Sequence, residues 1–297
     1  MSKITSIVPL IRLMRPHQYL KNGLIILPLF FSGRVIIPEL LLRIAVAMIV
    51  FSVVASSMYI MNDLLDVRHD RLHPEKRRRP IAAGEVSVRN AVVLLLLLMG
   101  AGLFGAQVLG TDVLGVMLFY VGLNIIYSLW LRRVSILDVM VVAVCFVVRL
   151  FVGGMAANVH LTTWIVLVTF LLALFLALAK RRDDVAVFAR TGAKMRETVD
   201  GYSLAFLDSA MVVMAAVTIF SYIMYTISPE VEARMGTQKL YLSVGFVILG
   251  VLRYLQIAMV EQKSGSPTAV LVRDRMIQFA VLGWIAFFAY CLYWLRH

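Results

Sequence analysis

The chain has 297 residues, of which 61% are hydrophobic and 15% charged, and its mean hydropathy is +0.89. Soluble globular domains average about 45–50% apolar and about 25% charged residues, so this composition indicates an integral membrane protein. The net charge of +12 is therefore no sign of nucleic-acid binding, because so much apolar surface needs lipid around it. Cys145 and Cys291 lie in apolar runs, which excludes a disulfide framework and a CxxC metal site. Residues 1–15 lack the pattern of a removable signal peptide.

Nine apolar stretches have about the length of a membrane-spanning helix, which needs about 20 residues. They predict an all-α, polytopic membrane protein that forms a single domain over residues 1–297. The first stretch is the shortest. In chain order the expected spans are 18–33, 40–60, 88–109, 112–130, 135–155, 162–179, 206–227, 240–258 and 277–295.

The basic residues predict the orientation of these spans. Twenty-three of the 29 Lys and Arg fall in the loops of one face, which are 1–21, 61–89, 130–135, 180–205 and 253–276. Basic loops remain in the cytoplasm, so we expect a multi-pass plasma-membrane protein with a cytoplasmic N-terminus. Thirteen of the 17 Asp and Glu lie on the same face, which topology alone does not require. Loops 61–89 and 180–205 are longer than helix connections need, so we expect the active site there.

An aspartate-rich motif, NDLLDVRHD (62–70), lies at the end of the second span. On a helix Asp63, Asp66 and Asp70 share one face because they are spaced i, i+3 and i+7. Carboxylates grouped in this way suit Mg²⁺, which takes one or two of them and completes its shell with water and substrate phosphates. The alternative is a solvated helix end whose aspartates pair with neighbouring bases.

Four consecutive bases follow in the segment HPEKRRRPIAAG (73–84). Beside a metal-binding face, the run from Lys76 to Arg79 would bind a polyanion through guanidinium groups. Alternatively, these bases contact lipid headgroups or only set the topology. We expect His73 to be structural. The segment RPHQYLKN (15–22) adds two more cations where the first span meets the basic face.

A second polar motif, KRRDD (180–184), opens the other long loop. Lys180 and Asp184 are spaced i, i+4, so a simple ion pair on a helix surface would explain them. The functional interpretation is a second anion-binding edge that faces the first, in which Asp184 orients Lys180 or helps to hold metal. The role of Asp183 stays open.

Two charged residues, Asp138 and Arg149, lie within one expected span, about three helical turns apart. Charges inside a membrane are costly and usually mark a cavity or a pathway. A structural ion pair within the helix bundle is the alternative. Tyr127, on the preceding span, could likewise line a cavity or have only a structural role.

The assembled motifs resemble the UbiA superfamily of intramembrane prenyltransferases, whose first motif reads NDxxDxxxD. Within it the chain is most similar to the branch of decaprenyl-phosphate phosphoribosyltransferases. RPIAAG after a basic HPxKR stretch is fairly specific to that branch, whereas NDxxD indicates only the superfamily. The matching segments run nearly end to end: RPHQYLKN (15–22), NDLLDVRHDRLHPEKRRRPIAAG (62–84), RLFVGG (149–154), LAKRRDD (178–184), RTGAKMRETVDGY (190–202), LRY (252–254) and LVRDRMIQ (271–278).

The resemblance implies a helical bundle with a cytoplasm-facing cavity that transfers 5-phosphoribose from phosphoribosyl diphosphate to a polyprenyl phosphate such as decaprenyl phosphate. Pyrophosphate would leave, and the product would supply cell-wall arabinan precursors. By the same resemblance Asp63, Asp66 and Asp70 would hold Mg²⁺ or Mn²⁺, with Asn62 supporting them. The expected partners are both substrates and the bilayer, not nucleic acid, and a homo-oligomer stays open. The expected substrate-binding residues are Lys21, Asn22, Arg77, Tyr127, Arg149, Lys180, Arg181 and Asp184.

Two other functions are compatible with parts of the sequence. Prenyl transfer from a prenyl diphosphate to an aromatic acceptor would use the same aspartate motif, because both donors carry a metal-bound diphosphate. The motif KRRDD is rich in cations, which favours a substrate with a further phosphate group over an aromatic acceptor. A transporter or channel would explain Asp138 and Arg149 but not a metal-and-anion site on one face.

Overall fold

The computed structural model describes residues 7–72, 76–192, 197–262, 264 and 267–294. His73 lies outside them. Over the described residues the fold is all-helical, which confirms the predicted class. The α-helices are α1 (Ile7–Met14), α2 (Leu27–Phe31), α3 (Pro38–Leu72), α4 (Val88–Leu109), α5 (Thr111–Leu129), α6 (Leu137–Ala156), α7 (Thr163–Thr191), α8 (Leu204–Thr226), α9 (Pro229–Met235), α10 (Val244–Met259), α11 (Pro267–Arg273) and α12 (Arg275–Tyr293).

Eight helical segments of the described chain are long and apolar enough to cross a membrane. They correspond to eight of the nine expected spans, and their outer faces expose large apolar side chains such as Leu96, Leu97 and Phe104 of α4. A face of this kind needs lipid as its solvent. The protein is therefore a multi-pass membrane protein.

The remaining expected span, 18–33, which is the first in chain order, is not one continuous α-helix. It forms a 3-10 helix over Pro16–Ile26 that continues into α2. Pro28 cannot donate the backbone hydrogen bond that would join α2 to the preceding segment as one α-helix, and Gly23 has little helix preference, so the sequence does not support a single α-helix over the whole span. Within the described residues, the count of long apolar helices is thus eight rather than nine.

The 3-10 segment nevertheless runs antiparallel to α3. The Tyr19 hydroxyl lies 2.8 Å from Ser56 Oγ, and Asn22 Nδ2 donates to Ser52 Oγ over 2.8 Å. Later residues of the segment therefore meet earlier residues of α3. With a rise of about 2.0 Å per residue in a 3-10 helix and about 1.5 Å in an α-helix, the two pieces together reach about 30 Å.

Two helices are longer than a bilayer requires and carry the polar motifs at their C-terminal ends. Helix α3 has 35 residues and α7 has 29, which gives lengths of about 52 and 43 Å against a hydrocarbon core of about 30 Å. Residues 61–72 and 180–191 are therefore helical rather than loop, which corrects the expected loop starts at 61 and 180. A helix that has left the hydrocarbon can continue through charged residues, because water solvates their side chains.

Short polar residues fix where several helices begin. The side chains of Ser87, Thr162, Ser203 and Asp274 accept hydrogen bonds from the first turns of α4, α7, α8 and α12. Such caps satisfy backbone donors that have no partner inside the helix. They lie within three residues of the predicted span boundaries.

The chain divides into two compact units. The first comprises residues 1–129 and 148–160, and the second comprises 130–147 and 161–297. In the first unit an apolar cluster of Leu13, Ile60, Ile81, Val86 and Ala91 packs beneath the aspartate motif. In the second unit the core joins α7, α8 and α10 around residues such as Phe175, Met211 and Tyr254.

Candidate functional site

The aspartate motif lies on the last turns of α3, in the first unit. Asp63 and Asp70 are almost fully buried, with side chains 2% and 4% exposed, whereas Asp66 is half-buried. Burial of a carboxylate is costly unless a cation or hydrogen-bond donors accompany it. The surroundings of Asp63 and Asp70 must therefore supply positive charge.

That charge comes from two arginines. Arg79 Nη1 donates to Asp63 Oδ1 over 3.1 Å and to Asp70 Oδ2 over 2.7 Å, so one guanidinium nitrogen bridges both carboxylates. Arg15 Nη2 donates to the same Asp63 Oδ1, and the Arg15 guanidinium also lies 5.4 Å from the ring centre of Tyr59. The two carboxylates therefore converge on one point.

The segment RPIAAG explains how Arg79 reaches this point. Pro80 is buried, and Ile81, 2% exposed, inserts into the apolar cluster with Leu13 and Ile60. The turn then closes through hydrogen bonds from Ala83 N to Arg79 O at 2.8 Å and from Val86 N to Pro80 O at 3.1 Å. Gly84 completes it at φ +76°, where a residue without a side chain is favoured. An apolar anchor thus fixes the backbone that carries Arg79.

Arg15 is positioned by an unusual backbone conformation. Its φ of 57° lies in the left-handed region, between the end of α1 and the 3-10 helix that starts at Pro16. A non-glycine residue adopts this conformation only where its surroundings compensate the strain, and such residues cluster at functional sites. Here the compensation is the ion pair with Asp63.

A cavity of about 500 Å³ opens beside these groups, within the first unit. Among the described residues, its wall contains one carboxylate, Asp63, and five cationic side chains. The cationic residues are Arg12, Arg15, Lys76, Arg78 and Arg79, and the remaining lining residues are Ile11, Pro16, His17 and Pro80. Cations in this excess, with guanidinium forks among them, suit a ligand that carries several phosphates.

The basic run was predicted as a whole, but the predicted phosphate ligand was Arg77. In the structure Arg77 is exposed and does not line the cavity, whereas its neighbours do. Lys76–Arg78 form a 3-10 turn, and Lys76, Arg78 and the following Arg79 line the cavity whereas Arg77 does not. Arg12, Arg15 and Arg79 make contacts at this site, although the sequence did not single them out. For Arg15 and Arg79 the available signal was that each directly precedes a proline.

Asn62 and Tyr127 lie near the same helix end. The Asn62 carboxamide contacts the Ser128 hydroxyl of α5, and this hydroxyl also donates to Asn124 O over 2.7 Å. Asn62 is therefore held by a neighbouring helix. Tyr127 is half-buried on α5, one residue before Ser128.

Asn22 and Arg149 meet in the interior of the first unit. Arg149 Nε donates to Asn22 Oδ1 over 3.0 Å, and its guanidinium lies 4.8 Å from the ring centre of Phe51. Asn22 is 2% and Arg149 4% exposed. These contacts orient the 3-10 helix against α3 and α6, since Asn22 also binds Ser52. Lys21, on the same 3-10 helix, is half-buried and donates to Gln18 Oε1 over 2.6 Å.

In the second unit, Arg181 binds the fully buried Asp138. Arg181 Nε donates to Asp138 Oδ2 over 2.5 Å, and Arg181 Nη1 lies 3.3 Å from Asp184 Oδ2. The hydroxyls of Tyr202 and Thr198 also donate to Asp138, over 2.7 and 3.4 Å. Burial and this contact with Asp138 raise the pKa of Tyr202, which keeps its hydroxyl protonated as a donor. Asp138 thereby ties the residues after α7 to the start of α6.

The rest of KRRDD is also engaged within the second unit. Arg182 Nε donates to Asp208 Oδ1 over 2.5 Å and its Nη1 donates to Ala258 O over 2.7 Å, while Ser264 Oγ donates to Asp183 Oδ1 over 3.0 Å. Arg181 and Arg182 are buried, and Lys180 is half-buried. The motif therefore contains structural ion pairs that its sequence did not distinguish from ligand contacts.

A divalent cation fits the aspartate face of the first unit. Within the described ranges the structure contains no group of three or more His, Cys, Asp and Glu already arranged around a metal position. Asp63 and Asp70 nevertheless point at one shared cation, the Arg79 nitrogen at 2.7 and 3.1 Å. Oxygen donors of this type suit Mg²⁺ or Mn²⁺, whose bonds of about 2.0–2.1 Å are shorter.

Comparisons with known proteins identify the family. Residues 24–280 match the UbiA prenyltransferase family. A decaprenyl-phosphate phosphoribosyltransferase of Mycolicibacterium smegmatis is 32% identical over 96% of this chain and 92% of its own, and one of Corynebacterium glutamicum is 30% identical over 93% and 84%. A UbiA homologue from Archaeoglobus fulgidus, solved bound to GPP and Mg²⁺, shares the fold with a TM-score of 0.70 at 18% identity over 96% of this chain and 99% of that one. The chain therefore belongs to the UbiA prenyltransferase family, a family of membrane-embedded transferases.

Proposed function

We propose that the protein transfers 5-phosphoribose from phosphoribosyl diphosphate to a polyprenyl phosphate such as decaprenyl phosphate, releasing pyrophosphate, to supply precursors of cell-wall arabinan. The observation that carries this proposal is the cavity with five cationic side chains beside Asp63. Phosphoribosyl diphosphate carries a third phosphate, on its ribose, and so needs more cationic partners than a prenyl diphosphate does. The names of the relatives that align over nearly the whole chain point to the same reaction.

In the proposed reaction a lipid phosphate oxygen bonds to C1 of the ribose while the bond from C1 to the diphosphate oxygen breaks. The electron pair of that bond leaves with pyrophosphate. Arg15, Arg78 and Arg79 would receive the charge that grows on this leaving group, which is the electrostatic task that dominates such catalysis. A lipid phosphate is already an anion at neutral pH, so it attacks without a general base.

Mg²⁺, or Mn²⁺ in its place, would be held by Asp63, Asp66 and Asp70 and would neutralise charge on the diphosphate. Asn62 would support the end of α3 through Ser128. Arg79 lines the cavity and contacts two of these aspartates. Donor and metal would therefore meet in the first unit.

Lys21 and Tyr127 would bind substrate near this site, and Arg77 would reach only substrate that extends beyond the cavity.

In the second unit we assign Lys180 to substrate phosphate, because it is a half-buried cation in the last third of α7, beside Arg181. Arg181 is 3% exposed and bound to Asp138, so we assign it to positioning, together with Asp184. We assign Asn22 and Arg149 to positioning as well, because they contact each other in a buried place. We place the whole site on the cytoplasmic side of the membrane, in accord with the basic residues around it.

The test is an assay of the purified protein in lipid nanodiscs with polyprenyl phosphate and Mg²⁺. One reaction receives phosphoribosyl diphosphate, and the other receives a prenyl diphosphate with 4-hydroxybenzoate. Mass spectrometry of the lipid fraction would show a phosphoribosylated lipid in the first reaction only. A prenylated aromatic product without any phosphoribosylated lipid would overturn the proposal in favour of aromatic prenyl transfer. In sealed proteoliposomes, substrate transport without any diphosphate dependence would indicate a transporter.

A further inference from the structure

The cation at the aspartate face belongs to the protein itself. Arg79 Nη1 lies between Asp63 Oδ1 and Asp70 Oδ2, at 3.1 and 2.7 Å. The carboxylates are 2% and 4% exposed, whereas the Arg79 side chain is 27% exposed and lines the cavity. The guanidinium therefore reaches the carboxylates from the cavity side.

A divalent cation that used the same oxygens could not bind while Arg79 stays in place. Metal bonds to oxygen are about 2.0–2.1 Å long, so the metal would lie within the volume that Nη1 occupies. Two positive charges at that separation also repel each other strongly in a poorly solvated site. Metal and Arg79 are alternatives for these carboxylates.

The structure also limits where Arg79 can go. Its backbone is held by the buried Pro80 and Ile81 and by the turn that closes at Gly84. Only the side chain can move, and its path leads into the cavity beside Lys76 and Arg78. A diphosphate bound there would offer Arg79 a new anionic partner with a matching bidentate geometry.

We propose that Arg79 is an exchangeable cation, which binds Asp63 and Asp70 until a metal replaces it and then binds the diphosphate of the donor. This inference rests on the proposed function only in that the ligand carries a diphosphate. Metal binding displaces the guanidinium at a cost, and the diphosphate offsets that cost by binding the displaced group. Metal and diphosphate therefore strengthen each other's binding, and this coupling is reciprocal.

The first experiment measures Mn²⁺ affinity by electron paramagnetic resonance on the full chain in nanodiscs, with and without inorganic pyrophosphate. Arg79→Gln removes the cation that bridges both carboxylates, while Arg15 stays on Asp63 in wild type and variant alike. The variant should therefore tighten Mn²⁺ binding about tenfold without pyrophosphate and weaken the enhancement that pyrophosphate gives. Coupling of this kind between two sites is typically about 5- to 150-fold. Arg78→Gln is the matched control, because Arg78 has the same charge on the same cavity wall but is not an ion-pair partner of Asp63 or Asp70. Without pyrophosphate, Arg78→Gln should change Mn²⁺ affinity less than about twofold.

An Arg79→Gln protein with unchanged or weaker Mn²⁺ binding would overturn the inference. Equal tightening in Arg78→Gln would do so too, because the effect would then be general electrostatics. Neither outcome depends on which donor the enzyme uses, whereas the product assay decides the proposed function without reference to Arg79.

A second experiment uses the wild-type chain and so does not depend on the folding of a variant. Phenylglyoxal modifies accessible arginines, and mass spectrometry locates the modified residues. Modification of Arg79 should increase at least about threefold when Mn²⁺ is added and fall again when pyrophosphate follows, while exposed Arg77 reacts equally throughout. Unchanged reactivity of Arg79 on addition of Mn²⁺ would contradict the exchange.

Discussion

Asp63 illustrates how one carboxylate at this site depends on its neighbours. It is 2% exposed and contacts the guanidinium groups of Arg15 and Arg79. Burial without these partners would cost several kcal/mol, of the order measured when a buried ion pair loses one member, about 3–5 kcal/mol. The same residue therefore contributes to folding and, as we propose, to metal binding.

We predict that Asp63→Asn lowers kcat by at least about 10²- to 10³-fold, the cost of losing a strong electrostatic contribution to the transition state. The amide keeps the shape of the carboxylate but cannot neutralise a divalent cation. The measurement is turnover to lipid-linked product, with thermal unfolding in nanodiscs as the check on folding. Asp112→Asn, at the exposed start of α5, is the control. Wild-type turnover in Asp63→Asn would remove the metal assignment.

Tyr202 is the second residue whose role the contacts define. Its hydroxyl donates to Asp138 over 2.7 Å and accepts from Ile136 N over 2.6 Å. Tyr202→Phe removes one hydrogen bond from the buried Asp138 and leaves Ile136 N without this acceptor, and an unsatisfied buried group costs about 1–3 kcal/mol. We expect the unfolding temperature to fall by several degrees. Tyr241→Phe, on a residue that is 53% exposed, should not change it; an equal fall in both variants would argue against the contact.

At the scale of elements, the last third of α7 contains two adjacent cations with different surroundings. Arg181 is buried and bound to Asp138, whereas Lys180 is half-buried. We predict that Arg181→Gln lowers the unfolding temperature, because it leaves Asp138 buried without its main cation. Lys180→Gln should instead raise KM for the donor about tenfold, the effect of one charge-assisted hydrogen bond, with little change in unfolding temperature. The reverse pattern in a calorimetric and kinetic comparison would contradict both assignments.

The 3-10 helix of the first unit depends on a glycine of α6. A Cβ added at Gly153 would lie 2.0 Å from Ile25 O, a backbone atom that cannot move alone. Gly153→Ala should therefore separate α6 from the 3-10 helix and lower the unfolding temperature markedly. Gly115→Ala on α5 meets nothing within 4 Å and should be neutral or slightly stabilising, since alanine favours a helix by about 1 kcal/mol. Unfolding scans of the two variants test the difference, and equal stability would show that the packing relaxes without cost.

The sequence predicted the long helices well because apolar runs with polar caps determine them locally; the expected span 88–109 coincides with α4. It failed for the expected span 18–33, where prolines and a glycine interrupt the α-helix and residues 16–26 form a 3-10 helix. It could not choose Arg79 over Arg77, because the choice depends on a 3-10 turn and on the anchoring of Ile81. Nor could it separate Arg181 from Lys180, since Asp138 lies 43 residues away in sequence.

At the scale of the whole molecule, the orientation in the membrane decides whether the site meets a water-soluble donor in the cytoplasm. In the first unit α1 lies at the same end of α3 as the aspartate motif, because Arg15 contacts Asp63 and Arg12 Nη1 contacts Glu85 Oε2 over 3.0 Å. Residues 16–31 then run antiparallel to α3 toward Pro38. The basic residues predict that the motif end is cytoplasmic.

Single cysteines introduced after replacing Cys145 and Cys291 by alanine test this orientation. Ile7, Ile36 and Leu72 are 72%, 73% and 87% exposed, so each tolerates Cys and reacts with a maleimide. In intact cells an impermeant maleimide should label Ile36→Cys, at the start of α3, and should label Ile7→Cys and Leu72→Cys only after permeabilisation. Labelling of Leu72→Cys in intact cells would place the aspartate motif outside, where the proposed donor is absent. Labelling of Ile7→Cys and Ile36→Cys from the same side would mean that residues 16–31 enter the membrane without crossing it.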